Sequence, residues 1–186
     1  MKRDNKTKYA LLGVLSQYEG SGYDIKKFIE VSIGYFWKES FGQIYPNLKK
    51  LETEGLITSR SVTDQKGSNK IIYNITDTGR AKLKSWLKLP VENANYRNEL
   101  LLKLFFGSQM SPQDILSHLG AKKNTLEKTL KEYKKIEKNL VADGYQTPDQ
   151  PFWLITLNYG IRSTKAELEW INTVQENIKT KFKGGK

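Results

Sequence analysis

The stretch from Gly22 to Ile57, GYDIKKFIEVSIGYFWKESFGQIYPNLKKLETEGLI, constrains the fold more than any other part of this 186-residue chain. It holds two short helical patterns in tandem, joined through the aromatic junction Tyr35-Phe36-Trp37. In the first, Tyr23 to Ile33, the residues Ile25, Phe28, Ile29 and Ile33 recur at the helical period while Lys26 and Lys27 point away. Gly34 suits the left-handed residue that closes such a helix. The second pattern opens on Ser40, which pairs with Gln43 as an S-x-x-Q capping box, and stops at Gly55. Phe41, Ile44, Leu48 and Leu51 form its apolar stripe, and Gln43, Tyr45, Asn47, Lys49 and Lys50 its polar face. A proline in a helix interior costs about 3 kcal/mol. The regular helix is therefore expected to begin nearer Gly42, which leaves Pro46 in the first turn.

The flanks complete a recognisable order. Thr7 to Gln17 is expected to be a helix with Ala10, Leu11, Val14 and Leu15 inward, and Glu19 to Gly22 a turn. Leu56 to Val62 and Lys70 to Ile75 read as strands, with Ile71, Tyr73 and Ile75 sharing one face and the polar run Thr63 to Asn69 as the hairpin turn. Thr76 can cap a helix from Asp77 to Leu87 that turns Leu83, Trp86 and Leu87 inward. Helix, helix and basic hairpin in this order give a winged helix-turn-helix, and the expected function is sequence-specific DNA binding. The major groove admits one helix, and Gln, Asn and Lys side chains read base edges there. Gln43 and Asn47 lie four apart and Lys50 three beyond, so they share a face. Arg60, Lys66 and Lys70 are expected to cluster around the hairpin tip, suited to phosphates or a minor groove.

The second half is helical throughout. Residues 90–96 read as a linker between a winged-helix domain, 1–89, and a helical domain, 97–186. Arg97 to Gly107 is apolar almost all round (Leu100, Leu101, Leu102, Leu104, Phe105, Phe106), which predicts burial on most sides. Ser111-Pro112-Gln113-Asp114 starts a long helix to about Asp143, striped by Ile115, Leu119, Leu126, Leu130, Tyr133 and Leu140. A last helix begins near Pro151, with a seam of Leu154, Leu157, Ile161, Thr164, Leu168, Ile171, Gln175 and Ile178. Narrow seams bury little in a lone chain, so these helices are expected to form a homodimer interface through Leu126, Leu130, Tyr133, Leu154, Leu157, Ile161, Leu168 and Ile171. The fold expected is mainly α with a small β-wing.

Composition narrows the function. A net charge of +11 and a pI near 9.6 favour polyanionic partners. The chain has no cysteine and one histidine, His118, which leaves no thiol chemistry, no cysteine–zinc site and no His-rich metal site. No catalytic constellation is expected, nor any cofactor. Gly20-x-Gly22 lacks the third glycine and the preceding strand of a nucleotide loop. The aromatics, among them Trp86, Trp153 and Trp170, read as core rather than a ligand pocket. The apolar run Tyr9 to Leu15 is far short of a membrane span and lacks a following cleavage site, so a cytoplasmic protein is expected. A rival reading keeps the winged helix as a scaffold for a protein-binding adaptor that recruits a partner through its C-terminal helices.

Several motifs resemble one family. Gly22-Tyr23, Gln43-Ile44-Tyr45-Pro46-x-Leu48, Leu51-Glu52-x-Glu54-Gly55-Leu56-Ile57 and Tyr73-x-Ile75-Thr76-x-x-Gly79-Arg80 are similar to the PadR family of bacterial transcriptional regulators. SGYDIKKFIEVSIGYFWKES and RNELLLKLFFG resemble the branch that contains the virulence-gene activator AphA. The resemblance implies a dimer on double-stranded DNA, with Ser40 to Glu54 as recognition helix and Ile57 to Ile75 as wing. It adds Tyr23, Ser40 and Tyr45 to the DNA-facing set, beside Lys26, Lys27, Gln43, Asn47, Lys50, Arg60, Lys66 and Lys70. Some members respond to phenolic acids or drugs; the residues of this chain neither assign nor exclude such an effector.

Overall fold

The computed structural model describes residues 6–63, 69–92, 97–142, 144 and 146–182. It divides into two compact units, Met1–Asn93 and Ala94–Lys186.

The first unit runs α1 (Thr7–Gln17), α2 (Gly22–Val31), α3 (Phe41–Thr53), β1 (Ile57–Thr63), β2 (Asn69–Ile75) and α4 (Asp77–Leu87). Its core joins Leu11, Leu12 and Leu15 of α1, Ile25 and Ile29 of α2, and Ile44, Leu48 and Leu51 of α3 to Leu56, Ile57, Tyr73 and Ile75 at the base of the hairpin. The strands are antiparallel, with Ile57 opposite Ile75 and Thr63 opposite Asn69. Only the base of the hairpin is buried, and its distal half projects into solvent. Gly20 exchanges two backbone hydrogen bonds with Tyr73 (3.2 and 3.0 Å), so the expected turn before α2 also serves as a one-residue third strand.

Capping fixes where these helices begin and end. The Ser21 hydroxyl accepts from the Asp24 N–H, and the Asp24 carboxylate accepts from the Ser21 N–H, which starts α2. The Gln43 side chain accepts from the Ser40 N–H at 3.0 Å, which fixes α3. At its other end Gly55 takes φ +68°, and the Gly55 and Leu56 N–H groups donate back to Glu52 and Leu51. That is a Schellman closure, which favours glycine at the left-handed position. The Thr76-x-x-Gly79-Arg80 motif is a clasp. Thr76 Oγ1 donates to the Gly55 carbonyl at 2.8 Å and accepts from the Gly79 N–H. Arg80 donates to the Ser16 carbonyl at 3.1 Å. A Cβ on Gly79 would stand 2.1 Å from the Leu56 carbonyl oxygen, so no larger residue fits.

Some expectations need correction. Helix α3 begins at Phe41, so Pro46 lies inside it rather than in its first turn. Gly34 is not left-handed; it is needed because a Cβ would meet the Glu30 carbonyl oxygen at 2.6 Å. Leu87 is exposed, while Trp86 stacks on Tyr9 with ring centroids 4.4 Å apart.

The second unit comprises α5 (Glu99–Phe105), a 3-10 turn at Gly107–Gln109, α6 (Pro112–Ala142) and α7 (Gln150–Phe182). Helices α6 and α7 form an antiparallel hairpin. Leu119 and Leu126 meet Ile171 and Leu168, and Tyr133 and Leu130 meet Leu154, Leu157 and Ile161. A Cβ on Gly160 would lie 2.8 Å from the Tyr133 ring, so this glycine allows the close approach. Buried Gln150 accepts from the Gln146 and Thr147 N–H groups and donates to the Leu140 carbonyl, closing the turn. All eight residues expected to join two subunits pack inside the hairpin of one chain, Leu126, Tyr133, Leu157, Ile161 and Ile171 buried and Leu130, Leu154 and Leu168 half-buried. The narrow seams face each other, and each supplies the partner the other needs.

Helix α5 reverses its expectation as well. It has no buried residue; Leu100 and Leu104 rest on the hairpin, while Leu101, Leu102, Phe105 and Phe106 are exposed. Phe152, Ile155 and Tyr159 are exposed on the first turns of α7. Because α5 packs near Leu119 and Ile171, these two apolar patches lie toward opposite ends of the hairpin.

Candidate nucleic-acid interface

Helix α3 turns Ile44, Asn47, Leu48 and Leu51 inward and presents Phe41, Gly42, Gln43, Tyr45, Pro46, Lys49 and Lys50 to solvent. Phe41, expected in the core stripe, instead lies outside between Tyr23 of α2 and Tyr45, with ring centroids at 6.5 and 5.9 Å. The Lys26 ammonium sits 4.6 Å from the centre of the Phe41 ring and pairs with Glu30. Tyr45 reaches across to α2, where a Cβ on Gly22 would come within 2.6 Å of its ring. The Gly22-Tyr23 and Tyr45-Pro46 motifs thus form one structure, an exposed aromatic row that docks the start of α3 on the start of α2.

Asn47 requires a correction. It is 9% exposed, and its amide donates to the Gln43 carbonyl at 2.7 Å, so it is not on the solvent face with Gln43. Gln43 is exposed, but its amide oxygen is taken by the N–H and hydroxyl of Ser40, both at 3.0 Å. Lys50 stands 3.8 Å from Glu54.

On the wing, Arg60 sits opposite Ile72 in mid-strand rather than at the tip. It makes a two-pronged pair with Glu19, whose carboxyl is held below its ordinary range chiefly by the Arg60 hydrogen bonds. Its charge is therefore already matched within the chain. Lys70 and Lys27 are exposed, and both act on the Asp24 carboxyl, which is lowered mainly by hydrogen bonding from the Ser21 hydroxyl. Lys66 lies outside the described residues. Sequence reasoning missed Phe41 because it completes the spacing of the apolar stripe. The signal available was a second spacing, Phe41 and Tyr45 four apart, which sets two rings on one flank of the helix. Among the described residues no cluster of His, Asp or Glu could hold a metal ion, and no helix is long and apolar enough to cross a membrane.

A helix fixed at both ends, exposed along one face and followed by a projecting two-stranded wing makes the first unit a winged helix-turn-helix, an architecture of DNA-binding proteins. The comparisons with known proteins agree. Residues 11–85 match the transcriptional regulator PadR-like family, and residues 96–179 match the virulence activator alpha C-terminal family. The chain is 32% identical over 176 residues to the negative transcriptional regulator PadR of Bacillus subtilis, covering 90% of this chain and 94% of that protein. This chain belongs to the PadR-like family of transcriptional regulators. Bacillus subtilis PadR in complex with operator DNA superposes with a TM-score of 0.83 at 30% identity, covering 94% of this chain and 99% of that one. The same protein solved with p-coumaric acid gives 0.73 at 29% identity, covering 96% and 98%. The Vibrio cholerae virulence activator AphA gives 0.73 at 29% identity, covering 93% and 98%.

Proposed function

We propose that this chain is a cytoplasmic, homodimeric regulator that places α3 in the major groove of a near-palindromic DNA site and its wing on the flanking backbone. The observation that carries the reading is the solvent face of α3, a capped helix with Tyr45, Lys49 and Lys50 outward beside the exposed Lys27 and Lys70. Its full-length likeness to a relative solved on operator DNA supports the same reading. In this assignment Tyr23, Gln43 through its free amide nitrogen, Tyr45, Lys49 and Lys50 face the groove, while Lys27 and Lys70 hold phosphates. Asn47 supports the helix from within.

The dimer is assigned to the apolar surface that α6 and α7 do not cover. A two-fold axis pairs each patch with its counterpart on the other subunit, so that residue i meets j and j meets i. An antiparallel pair of hairpins would lay Leu102, Phe105 and Phe106 of one subunit over Phe152, Ile155 and Tyr159 of the other. For helix-turn-helix dimers of this kind the half-sites lie about 34–36 Å apart.

The test is selection from a random duplex library, followed by titration of the enriched and a scrambled duplex at several salt concentrations. The enriched duplex should bind more tightly. If roughly 6–10 phosphates are neutralised, affinity should fall about 10³–10⁵-fold between 50 and 200 mM salt. Equal binding to both duplexes, or none, would leave the adaptor reading in its place. Light scattering should give a dimer mass, and Phe105→Glu combined with Phe152→Glu a folded monomer. Adding p-coumaric acid to the same titration tests for an effector of the phenolic class.

A further inference from the structure

Beyond Tyr45, Lys49 and the Gln43 amide nitrogen, α3 offers a groove few hydrogen-bonding groups that are not already engaged. Asn47 is turned inward, the Gln43 oxygen is held by Ser40, and Lys50 faces Glu54. Gly42 and Pro46, both exposed, carry no polar side chain. The N-terminal turn of α3 and the adjoining start of α2 instead expose aromatic rings: Tyr23 of α2 is 59% exposed, Tyr45 48% and Phe41 40%. Large exposed apolar surface rimmed by charge marks a binding site. In the major groove the one apolar feature among the base edges is the C5-methyl of thymine, and phenylalanine is among the side chains that contact it.

We propose that Phe41 is a specificity-determining residue that contacts a thymine methyl in each half-site. The inference rests on the DNA-binding reading above and adds to it the base and the chemical group that are read. Phe41 is the first residue of α3, and recognition helices contact base edges through their N-terminal residues. Tyr23 and Tyr45 flank its ring and the Lys26 ammonium lies against it, so the ring is positioned before DNA arrives. A side chain already held in place loses little freedom on binding. The small Gly42 beside it has only Ser40 Oγ near its Cβ position, at 3.7 Å, which leaves the helix tip free to approach the base edges closely.

The experiment replaces each thymine of the selected duplex in turn by deoxyuridine, which deletes the methyl and leaves the pairing edge intact. For the native protein one position per half-site should lose about fourfold in affinity, and both together about fifteenfold, the loss that accompanies about 0.8 kcal/mol per buried carbon group. Phe41→Ala should bind thymine and uracil duplexes alike, whereas Phe41→Leu, still apolar, should retain part of the discrimination. Circular dichroism checks that both variants fold. Indifference of the native protein to uracil at every position would overturn the inference, and so would full methyl sensitivity in Phe41→Ala. Either result, obtained on a duplex that still binds sequence-specifically, leaves the DNA-binding reading standing. Failure of the library to enrich any sequence would remove both.

Discussion

Gly22→Ala separates folding from recognition. The new methyl would stand 2.6 Å from Cε1, 2.9 Å from Cζ and 3.1 Å from the hydroxyl of Tyr45. Carbon atoms pack at about 3.5–4.0 Å, so the ring must retreat by about 1 Å. It can do so, because Tyr45 is 48% exposed and the clash involves the far end of its side chain. Loss of its stacking costs about 0.5–1.5 kcal/mol. Replacing glycine at a helical position returns up to about 0.5–1 kcal/mol. Stability should therefore change by less than about 1 kcal/mol, within about 8 °C in Tm for a unit of this size. Affinity for the selected duplex should fall further: a well-placed base contact is worth about 1–3 kcal/mol, roughly a 5–150-fold loss. Fluorescence anisotropy on the selected and scrambled duplexes, with thermal melts on the same samples, measures both quantities. The decisive control is Gly22→Ala in a Tyr45→Ala background, where no ring remains to displace and the second substitution should have no further effect. Additive losses in that cycle, or an unchanged affinity in the single variant, would refute the docking argument.

Three other outcomes are expected. Leu157→Asp with Ile161→Asp should unfold the α6–α7 hairpin rather than dissociate a folded dimer, since truncating such buried side chains costs about 2–5 kcal/mol each even before a charge is added; unchanged helical content by circular dichroism would contradict this. Glu19→Gln should release Arg60 to phosphate and steepen the salt dependence of DNA binding, by about 0.9 in log–log slope for each phosphate newly neutralised; an unaltered slope would show that Arg60 does not reach the backbone. The Asp24 carboxyl is held below the ordinary aspartate range, so its stabilisation is complete above the unfolded value of about 3.9 and is lost as pH falls through its lower folded value. The Tm gap between the native protein and Asp24→Asn should accordingly close on acidification below about pH 4, and a gap independent of pH would count against the capping role.

Local signals were legible in the sequence and the covering of faces was not. Thr7–Gln17 and Asp77–Leu87 fall where periodicity and Thr76 put them, and Gly55 ends α3 as expected. These are statements about a few neighbouring residues. Periodicity shows which side chains share a face and is silent on what lies against it. The stripe through Leu157 and Ile161 asked for a partner, and α6 of the same chain supplies it; the apolar α5 asked for burial and, within one chain, does not receive it. Asn47 misled for a different reason. A polar side chain was expected outward, but an amide that finds a carbonyl 2.7 Å away can be buried at little cost.

Pro46 connects these strands. Inside α3 it cannot donate to the Gly42 carbonyl, which weakens the first turn by about 3 kcal/mol relative to an ordinary residue. The helix persists because Ile44, Leu48 and Leu51 are fully buried, each worth about 1.5–3 kcal/mol, and because the Ser40–Gln43 cap adds about 1 more. That stabilisation acts at the core face and at the first residue. The exposed turn from Phe41 to Tyr45 has less of the helix ladder to hold it, and is steadied from outside by the rings packed against Gly22 and Tyr23 of α2. The two halves of the helix-turn-helix are thus coupled at the segment proposed to meet DNA. A change at Gly22, on the other helix, can therefore shift the reading tip without touching a residue of α3.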